Sequence, residues 1–307
     1  MDKYLYTFRY HAEDTELYKL ELKYVFGREN FLERTFTSDE LIPMESTCFG
    51  EVILEILAFS KELDDLKELL KELPIFHDAK LDSLSLGFLP KCSFNDAMKI
   101  LPYLKFYANM KNPANLFYLT RNNDGWYFGR QVSRSQKLWN FHRKKKHTMS
   151  SAIPQIQART LVEVLYHSGH KSLIDFCCGS GTFLLDAVSY GMECTGTDLN
   201  ENMVAMTSKN LSEYNYKADV EVANAALYSK KADCGVVDFP YGFHCTRDEN
   251  EEKQIISNVL KNVKTGVFIF GAKCHELFNN YEIIEYLAIP AVNVTRHIYF
   301  CRNKDGI

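Results

Sequence analysis

The second half of the chain alternates strand-like and helix-like segments, and no other feature of the sequence limits the fold as strongly. Between residues 173 and 271, short apolar runs are separated by amphipathic helical segments. This alternation predicts an α/β domain with a doubly wound, mostly parallel sheet, completed by two closing strands in residues 281–302. A helix predicted over residues 153–167 precedes the first strand, so we expect a domain boundary between residues 131 and 153.

The first predicted strand of this domain runs into a glycine-rich loop. The loop contains Asp175, Cys177, Gly179, Gly181 and Thr182. Glycines at such a position let the backbone approach a ligand and expose the N-terminal amides of the next helix. The loop lacks the G-x-G-x-x-G pattern of dinucleotide-binding folds and the Gly-Lys-Ser/Thr of a P-loop. It therefore predicts a ligand site of another class.

Two more strand ends carry acids. Asp198 ends the second strand, 23 residues after Asp175, where a carboxylate can accept both hydroxyls of a ribose. It could equally cap the helix that starts at Asn200. The fourth strand ends in Asp238, followed by Phe239, Pro240 and Tyr241 at the same tip.

The tip at residues 238–241 suits an amine on an aromatic ring. Asp238 offers one acceptor and the carbonyl of Phe239, held extended before Pro240, offers a second. Two acceptors on the amine hydrogens hold the nitrogen lone pair toward an electrophile, while Tyr241 could stack on the ring. An ordinary strand-ending Asp-x-Pro turn fits these residues about as well.

The first half of the chain is predicted to be a mixture of short strands and helices. The leucine stripe of residues 61–73 predicts an amphipathic helix, and the apolar segment 49–59 fits a helix or a strand. The remaining predictions are a strand at 4–10, a helix at 13–26, a strand at 75–86, a helix at 94–107 and a hairpin at 116–132.

A basic stretch joins the two halves. The net charge of the 307-residue chain is −4, yet residues 121–147 hold eight lysines or arginines against one acid, Asp124. Trp126, Tyr127, Phe128, Trp139 and Phe141 are interleaved with them. This composition favours RNA binding through phosphate contacts and base stacking, although a solvated linker is the simpler alternative. The candidate RNA-binding residues are Arg121, Arg130, Arg134, Lys137, Arg143, Lys144, Lys145 and Lys146.

Composition narrows the class of protein. Hydrophobic residues make up 46% and charged residues 25% of the chain, which is typical of a soluble globular protein. No apolar run reaches the about 18 residues of a membrane span, and the first ten residues carry charges, so we expect a cytoplasmic protein without a membrane partner. The nine cysteines include no C-x-x-C pair, so we expect reduced thiols and no metal site.

The three strand ends together resemble the class I methyltransferases that use S-adenosylmethionine. Asp-x-x-Cys-Gly-Ser-Gly-Thr at 175–182, Gly-Thr-Asp at 196–198 and Asp-Phe-Pro-Tyr at 238–241 occur in that family's order and spacing. The last motif is similar to the Asp/Asn-Pro-Pro-Tyr/Phe signature of amino-methyltransferases. Residues 1–27, the hairpin end at 126–130 and the helix at 154–164 resemble THUMP-domain tRNA guanine-N2 methyltransferases, notably the archaeal guanine-10 enzymes.

The resemblance implies a domain order and a set of site residues. The domains would be a ferredoxin-like domain (1–45), a THUMP RNA-binding domain (46–132), a basic linker (133–152) and a Rossmann-like methyltransferase domain (153–307). Asp238, Phe239, Pro240 and Tyr241 would receive the guanine amine. The cofactor would be S-adenosylmethionine, held by Asp175, Cys177, Gly179, Gly181, Thr182, Asp198, Leu199, Asn224 and Ala225.

Two positions depart from the family pattern. Phe239 stands where the family usually has proline, and Asn224 stands where it usually has an acid, although an amide oxygen can still accept from the adenine amine. We expect methyl transfer to N2 of a tRNA guanine, with guanine-10 as the first candidate. The alternatives are another exocyclic amine of tRNA or DNA, or a catalytically decayed RNA-binding protein. The resemblance also allows a small zinc-binding activator protein as a partner beside tRNA.

Overall fold

A computed structural model of the chain describes residues 2–29, 33–86, 91–149, 152–240, 248–290 and 294–304. These residues form fourteen strands and eight α-helices. The helices are α1 (Thr15–Phe26), α2 (Leu63–Lys71), α3 (Phe94–Ile100), α4 (Leu138–His142), α5 (Gln155–His167), α6 (Thr182–Ser189), α7 (Glu201–Glu213) and α8 (Glu249–Asn262). The first seven strands are β1 (Tyr4–Phe8), β2 (Thr35–Ser38), β3 (Gly50–Ser60), β4 (Phe76–Leu84), β5 (Phe106–Ala108), β6 (Asn115–Arg121) and β7 (Trp126–Arg134). The others are β8 (Ser172–Asp175), β9 (Glu193–Asp198), β10 (Asp219–Val222), β11 (Ala232–Asp238), β12 (Val263–Phe270), β13 (Tyr281–Pro290) and β14 (Thr295–Asn303).

The chain divides into two compact units. Unit 1 comprises Met1–Tyr10 and Asn30–Lys137, and unit 2 comprises His11–Glu29 and Leu138–Ile307. Helix α1 thus belongs to unit 2, although the sequence places it inside the segment predicted as a ferredoxin-like domain. Periodicity shows which face of a helix is apolar but not which part of the chain covers that face.

Unit 1 contains one seven-stranded sheet with the order β2-β1-β3-β7-β6-β4-β5. Its pairs are antiparallel except those of β4 with β5 and β6, which are parallel. Strands from both predicted N-terminal domains lie in this sheet, because β1 pairs directly with β3. The ferredoxin-like and THUMP identities of these segments stay predictions.

In unit 1, strand β3 decides the class of segment 49–59, and helix α3 is shorter than predicted. The segment that fitted either class is strand β3, in which the consecutive residues Val52, Ile53 and Leu54 are all buried, as a strand covered on both faces requires. The helix predicted over 94–107 is wrong in its length. It ends at Ile100, because Pro102 cannot donate a helical hydrogen bond, and a 3₁₀ turn and strand β5 follow.

Unit 2 contains the predicted α/β domain. Its sheet has the order β10-β9-β8-β11-β12-β14-β13, with parallel pairs from β10 to β12 and antiparallel pairs on both sides of β14. The direction of chain progression reverses between β8 and β11, and in such sheets ligands bind at this switch point, beyond the carboxyl ends of the strands. Among the described residues, no helix is long and apolar enough to cross a membrane.

Candidate active site

A cavity of about 450 Å³ lies within unit 2, at the carboxyl ends of β8, β9 and β11. Residues from all three acidic strand ends line it, as predicted from the switch-point rule. The lining residues that the sequence singled out are Asp175, Cys177, Gly179, Thr182, Asp198, Leu199, Asn224, Ala225, Asp238, Phe239 and Pro240. Gly181 is not part of the lining and instead begins helix α6 as its N-cap residue.

The glycine-rich loop is shaped by two residues in the left-handed region. Gly179 has φ +52° and Gly181 has φ +79°, conformations that cost little only for glycine. A Cβ atom on Gly181 would lie 3.0 Å from the methyl carbon of Thr207, whereas one on Gly179 would meet nothing closer than 3.9 Å. The Thr207 hydroxyl donates to the Gly179 carbonyl at 2.8 Å, so helix α7 fixes the loop.

Asp198 is held by the backbone on both of its oxygens. One oxygen accepts the Gly179 N–H at 3.0 Å, and the other accepts the Asn200 N–H at 2.9 Å. The helix cap itself is Asn200, whose side chain accepts from Asn202. Each carboxylate oxygen keeps a further lone pair, so Asp198 supports the turn and can still accept ribose hydroxyls.

Asp175 and Asp238 are desolvated acids beside the cavity. Asp175 is 1% exposed, and its Oδ2 has no hydrogen-bond partner in the described part of the chain. Oδ1 of Asp238 is likewise buried without a described partner. Burial raises the pKa of Asp175 well above its usual value, and burial raises the pKa of Asp238 to about 7 against the opposing attraction of Arg296. Unpartnered buried acceptors of this kind are costly unless a ligand donor pairs with them.

Phe239 has a packing role that explains its departure from the proline of the family pattern. Its ring is 5% exposed and stacks on Phe270 with the centroids 4.5 Å apart, while its N–H bonds to the Ile269 carbonyl. The side chain therefore belongs to the core and only the residue's backbone can serve a substrate. Tyr241, the fourth predicted residue of this tip, lies outside the described residues.

Asn224 uses its amide oxygen within the chain. That oxygen accepts the Ala226 N–H at 2.8 Å, which forms an Asx turn at the adenine end of the predicted cofactor site. An adenine amine would share the same oxygen through its second lone pair. Asn224 lies in the cavity wall, as the predicted contact with adenine requires.

Sequence reasoning missed an acidic contribution from helix α8. Asp248, Glu251 and Glu252 line the cavity from the first turn of this helix, where Asp248 is the N-cap. The sequence carried a signal for this helix start, since an Asp precedes a run of acids, but no signal for the direction it faces. With these three acids and no lysine or arginine among the described lining residues, the cavity favours a cationic ligand.

The eight predicted RNA-binding residues are split between the two units. Arg121, Arg130, Arg134 and Lys137 belong to unit 1, where Arg130 is paired with Glu55 at 2.6 Å. The interleaved aromatic residues of unit 1, Trp126, Tyr127 and Phe128, are at most 7% exposed. These three rings lie in the core, so the expectation that they stack on bases is wrong for them.

The other four basic residues belong to unit 2 and differ in exposure. Arg143, Lys144 and Lys146 are exposed. Lys145 is 9% exposed and donates to Gln155 Oε1 at 2.9 Å, and burial lowers the pKa of its ammonium group. This position argues against a phosphate contact for Lys145.

Comparison with known proteins shows that the chain is similar to methyltransferases. Residues 173–266 match the family model described as a methyltransferase domain. The chain is 27% identical over 146 residues to a probable tRNA (guanine(10)-N2)-dimethyltransferase of Methanothermococcus thermolithotrophicus, covering 44% of this chain and 90% of that protein. It is also 27% identical over 182 residues to the tRNA (guanine(10)-N2)-dimethyltransferase of Methanothermobacter thermautotrophicus, covering 55% of this chain and 54% of that protein. The match thus spans about half of the second relative.

Solved structures share the fold over the whole chain. TrmN from Thermus thermophilus superimposes with a TM-score of 0.57 at 13% identity, covering 98% of this chain and 99% of that chain. A possible methylase from Clostridium difficile 630 gives a TM-score of 0.52 at 13% identity, with 99% and 98% covered. At this identity the comparison concerns the fold alone, and it confirms the predicted class I, Rossmann-like methyltransferase architecture of the C-terminal domain.

Proposed function

Because residues 173–266 form a class I methyltransferase domain, we propose that the chain is a tRNA (guanine-N2)-methyltransferase that modifies guanine-10. S-adenosylmethionine is its cofactor and supplies the methyl group as an electrophile. The observation that carries the proposal is Asp238, a buried acceptor without a described partner, one residue before the backbone of Phe239 at the cavity. An exocyclic amine is a ligand whose two hydrogens match these two acceptors.

The cavity residues fit the charge and shape of S-adenosylmethionine. Asp175 would accept from its ammonium group, Asp198 from its ribose, and Asn224 with Ala225 would contact its adenine. Both the sulfonium and the ammonium group are cationic, and the acids that line the cavity attract them. Loss of the methyl group removes the sulfonium charge, so the acidic wall also favours release of the product.

Asp238 would orient the amine and take its proton. With a pKa of about 7, Asp238 is partly ionised at neutral pH, so it can accept a hydrogen bond and then hold the proton that the methylated amine loses. Positioning supplies most of the acceleration in such a direct transfer. Pro240 keeps the backbone of Phe239 extended, and that rigidity fixes the second acceptor.

The choice of tRNA as substrate rests on the relatives and on charge. Both relatives are named for tRNA guanine-10, and the exposed basic residues of unit 1 and of unit 2 suit a polyanion. As a THUMP domain, unit 1 would bind the acceptor end of the tRNA. Guanine-10 is preferred over other guanines only through these relatives.

The test is incubation of the full chain with radiolabelled S-adenosylmethionine and unmodified tRNA transcripts, followed by nucleoside analysis. We expect labelled N2-methylguanosine, which disappears when guanine-10 of the transcript is replaced by adenine. Label that survives this replacement would move the target to another guanine. Label in no nucleoside, even with a small zinc-binding activator protein added, would contradict the proposal.

A further inference from the structure

Unit 2 carries an exposed aromatic ring within a cluster of cations, outside the cavity. Phe141 is 59% exposed, and Arg143, Lys144 and Lys146 follow it within five residues and are also exposed. A single exposed apolar side chain needs no explanation, but an exposed ring among three cations matches what single-stranded nucleic acid requires. We call Phe141, Arg143, Lys144, Lys146 and Tyr214 the Phe141 patch.

The ring of Phe141 is held in place by Tyr214. It meets Tyr214 edge to face, with centroids 4.9 Å apart and planes at 89°, and the Tyr214 hydroxyl donates to the Phe141 carbonyl at 3.0 Å. In an edge-to-face pair, whichever ring presents its edge, at least one face of Phe141 stays uncovered by Tyr214. A fixed ring with an open face can stack on a base with little loss of side-chain entropy.

The patch is anchored to the core of unit 2. His142, the neighbour of Phe141, is fully buried and bonds to Asp186 at 2.6 Å and to the Tyr216 hydroxyl at 3.1 Å. Helix α4 has only five residues, too few to be stable alone, so these buried polar contacts hold it in place. A platform of this rigidity is preorganised for its ligand.

Two of the three cations are available to a phosphate. Neither Arg143 nor Lys144 forms an ion pair with a described residue, although Arg143 lies over the Trp139 ring at 5.6 Å. Lys146 is paired with Glu213 at 2.9 Å, an exposed pair that a phosphate could displace at little cost. The patch thus keeps an excess of positive charge around the exposed ring of Phe141.

The patch is close to the cavity along the chain. Met149 in the cavity wall follows Lys146 by three positions, which is at most about 11 Å of extended chain. The segment between them is fixed, because Asn210 bonds to both the N–H and the carbonyl of His147 and also to the carbonyl of Ser180 in the glycine-rich loop. A polynucleotide with one base in the cavity is therefore within reach of this patch.

We propose that the Phe141 patch binds a single-stranded segment of the RNA substrate, with one base stacked on the Phe141 ring and its phosphates on Arg143 and Lys144. The proposal rests on the proposed function in assuming an RNA substrate. It adds a contact surface in the methyltransferase unit itself, independent of unit 1. Stacking is tolerant of sequence, so the patch would take any unpaired base.

The test measures binding of the full chain to a fluorescent ten-nucleotide oligouridine at low salt, which needs no methylation. Phe141→Ala should weaken binding at least about five-fold, as expected for the loss of one stacked base, while Phe141→Trp should keep the wild-type affinity. Val222→Ala, at an apolar side chain 53% exposed on strand β10 of unit 2, is the control for loss of an exposed apolar side chain and should bind like the wild type. Replacing Arg143 and Lys144 by glutamine should lower the dependence of affinity on salt.

Each other outcome overturns the proposal. A wild-type chain that does not bind the oligouridine, a Phe141→Ala variant that binds it normally, or a Phe141→Trp variant that loses binding would each exclude base stacking here. Self-association of the wild type that Phe141→Ala abolishes, with RNA binding unchanged, would assign the patch to a second copy of the chain. Methylation of guanine-10 is measured separately, so failure of this patch and failure of the proposed function are distinguishable.

Discussion

Asp238 is the residue at which stability and function conflict most clearly. Its Oδ1 is buried at the end of β11 without a described hydrogen-bond partner, and burial raises the pKa of the carboxyl to about 7. A cavity wall without a functional demand would place an apolar side chain here. Under the proposed function a substrate donor pairs with this acceptor during the reaction, which accounts for the cost in stability.

The ionisation of Asp238 should govern the pH dependence of methyl transfer. The carboxylate is the form that accepts from the amine, so kcat/KM should rise with pH and level off above about 7. Asp238→Asn should reduce kcat by about 100-fold or more, because the amide can accept a hydrogen bond but cannot take the proton. A rate–pH profile of the wild type that stays flat from pH 5.5 to 8.5 would contradict this role.

The same substitution should stabilise the fold at alkaline pH. Since the pKa of Asp238 is about 7 in the folded state and 3.8 in its usual environment, the folded chain binds more protons between these values. The contribution of Asp238 to the free energy of unfolding therefore falls as pH rises from about 4 to 7 and is constant above. We expect Asp238→Asn to be more stable than the wild type at pH 8, by up to about 4 kcal/mol, and to lose this advantage near pH 4. Urea unfolding at both pH values measures the difference.

The two left-handed glycines of the glycine-rich loop, Gly179 and Gly181, provide a matched pair of substitutions. Alanine at either position adopts an unfavourable φ at a cost of about 1–2 kcal/mol. At Gly181 the new Cβ would also lie 3.0 Å from the Thr207 side chain, whereas at Gly179 the space is open. Gly181→Ala should therefore lower the free energy of unfolding more than Gly179→Ala. Equal losses of the free energy of unfolding in urea would show that the Thr207 side chain moves away from the new Cβ at no cost.

At the scale of elements, Asp186 on helix α6 joins α4, α5 and α6 inside unit 2. It is fully buried, with one oxygen near His142 and Arg159 and the other accepting from Gln155 at 2.7 Å. The guanidinium of Arg159, also fully buried, lies 3.8 Å from the Tyr190 ring centre. Such a network orders three helices at once, but its members depend on one another.

Removal of Asp186 should be far more damaging than removal of a surface acid. Asp186→Ala removes the carboxylate that lies 3.4 Å from the buried Arg159 guanidinium, and we expect a loss of about 3–5 kcal/mol in the free energy of unfolding. Glu68→Ala breaks the exposed Lys71–Glu68 pair of helix α2 and should cost less than about 1 kcal/mol. Denaturant unfolding of both variants compares them directly. Similar losses would mean that Arg159 finds another anion or solvent.

The elements of unit 2 followed closely from the sequence, because its strands are short apolar runs bounded by glycine, acid or turn residues. The errors arose where tertiary contact decides. Pro102 ended a helix that periodicity would extend, and segment 49–59 showed its class only through burial on both faces. Helix α1 was assigned to its neighbours in sequence, whereas it packs with unit 2.

The site was predictable at the strand ends and not elsewhere. Asp175, Asp198 and Asp238 meet at one cavity because parallel strands bring their carboxyl ends together. The acids of helix α8 come from a separate element, and no local pattern shows that its first turn faces the cavity. The burial of Lys145 could not be predicted either, because the composition of a basic run does not show which of its side chains are exposed.

At the scale of the whole molecule, the chain enters unit 1, crosses to unit 2 for residues 11–29, returns, and crosses again after Lys137. Helix α1 is therefore part of the methyltransferase unit even though more than a hundred residues of unit 1 separate the two in sequence. Within unit 2 it is tied to β13, where Tyr24 donates to Glu285 at 2.9 Å and Lys23 pairs with the same carboxylate. Helix α5, which α1 contacts, is buried on nearly every side from Gln155 to Leu165.

A fragment that begins at Leu138 should consequently be much less stable than a fragment that retains α1. Without α1, buried side chains of α5 lose their cover, and each fully exposed large apolar side chain costs about 1.5–3 kcal/mol. We expect residues 138–307 alone to unfold at lower temperature or to aggregate, and residues 11–29 joined to 138–307 by a flexible Gly/Ser linker to recover a cooperative transition and cofactor binding. Calorimetry with and without S-adenosylmethionine compares the two fragments. Equal stability would mean that unit 2 is complete without α1, and the passage of residues 11–29 through unit 2 would then have no structural role.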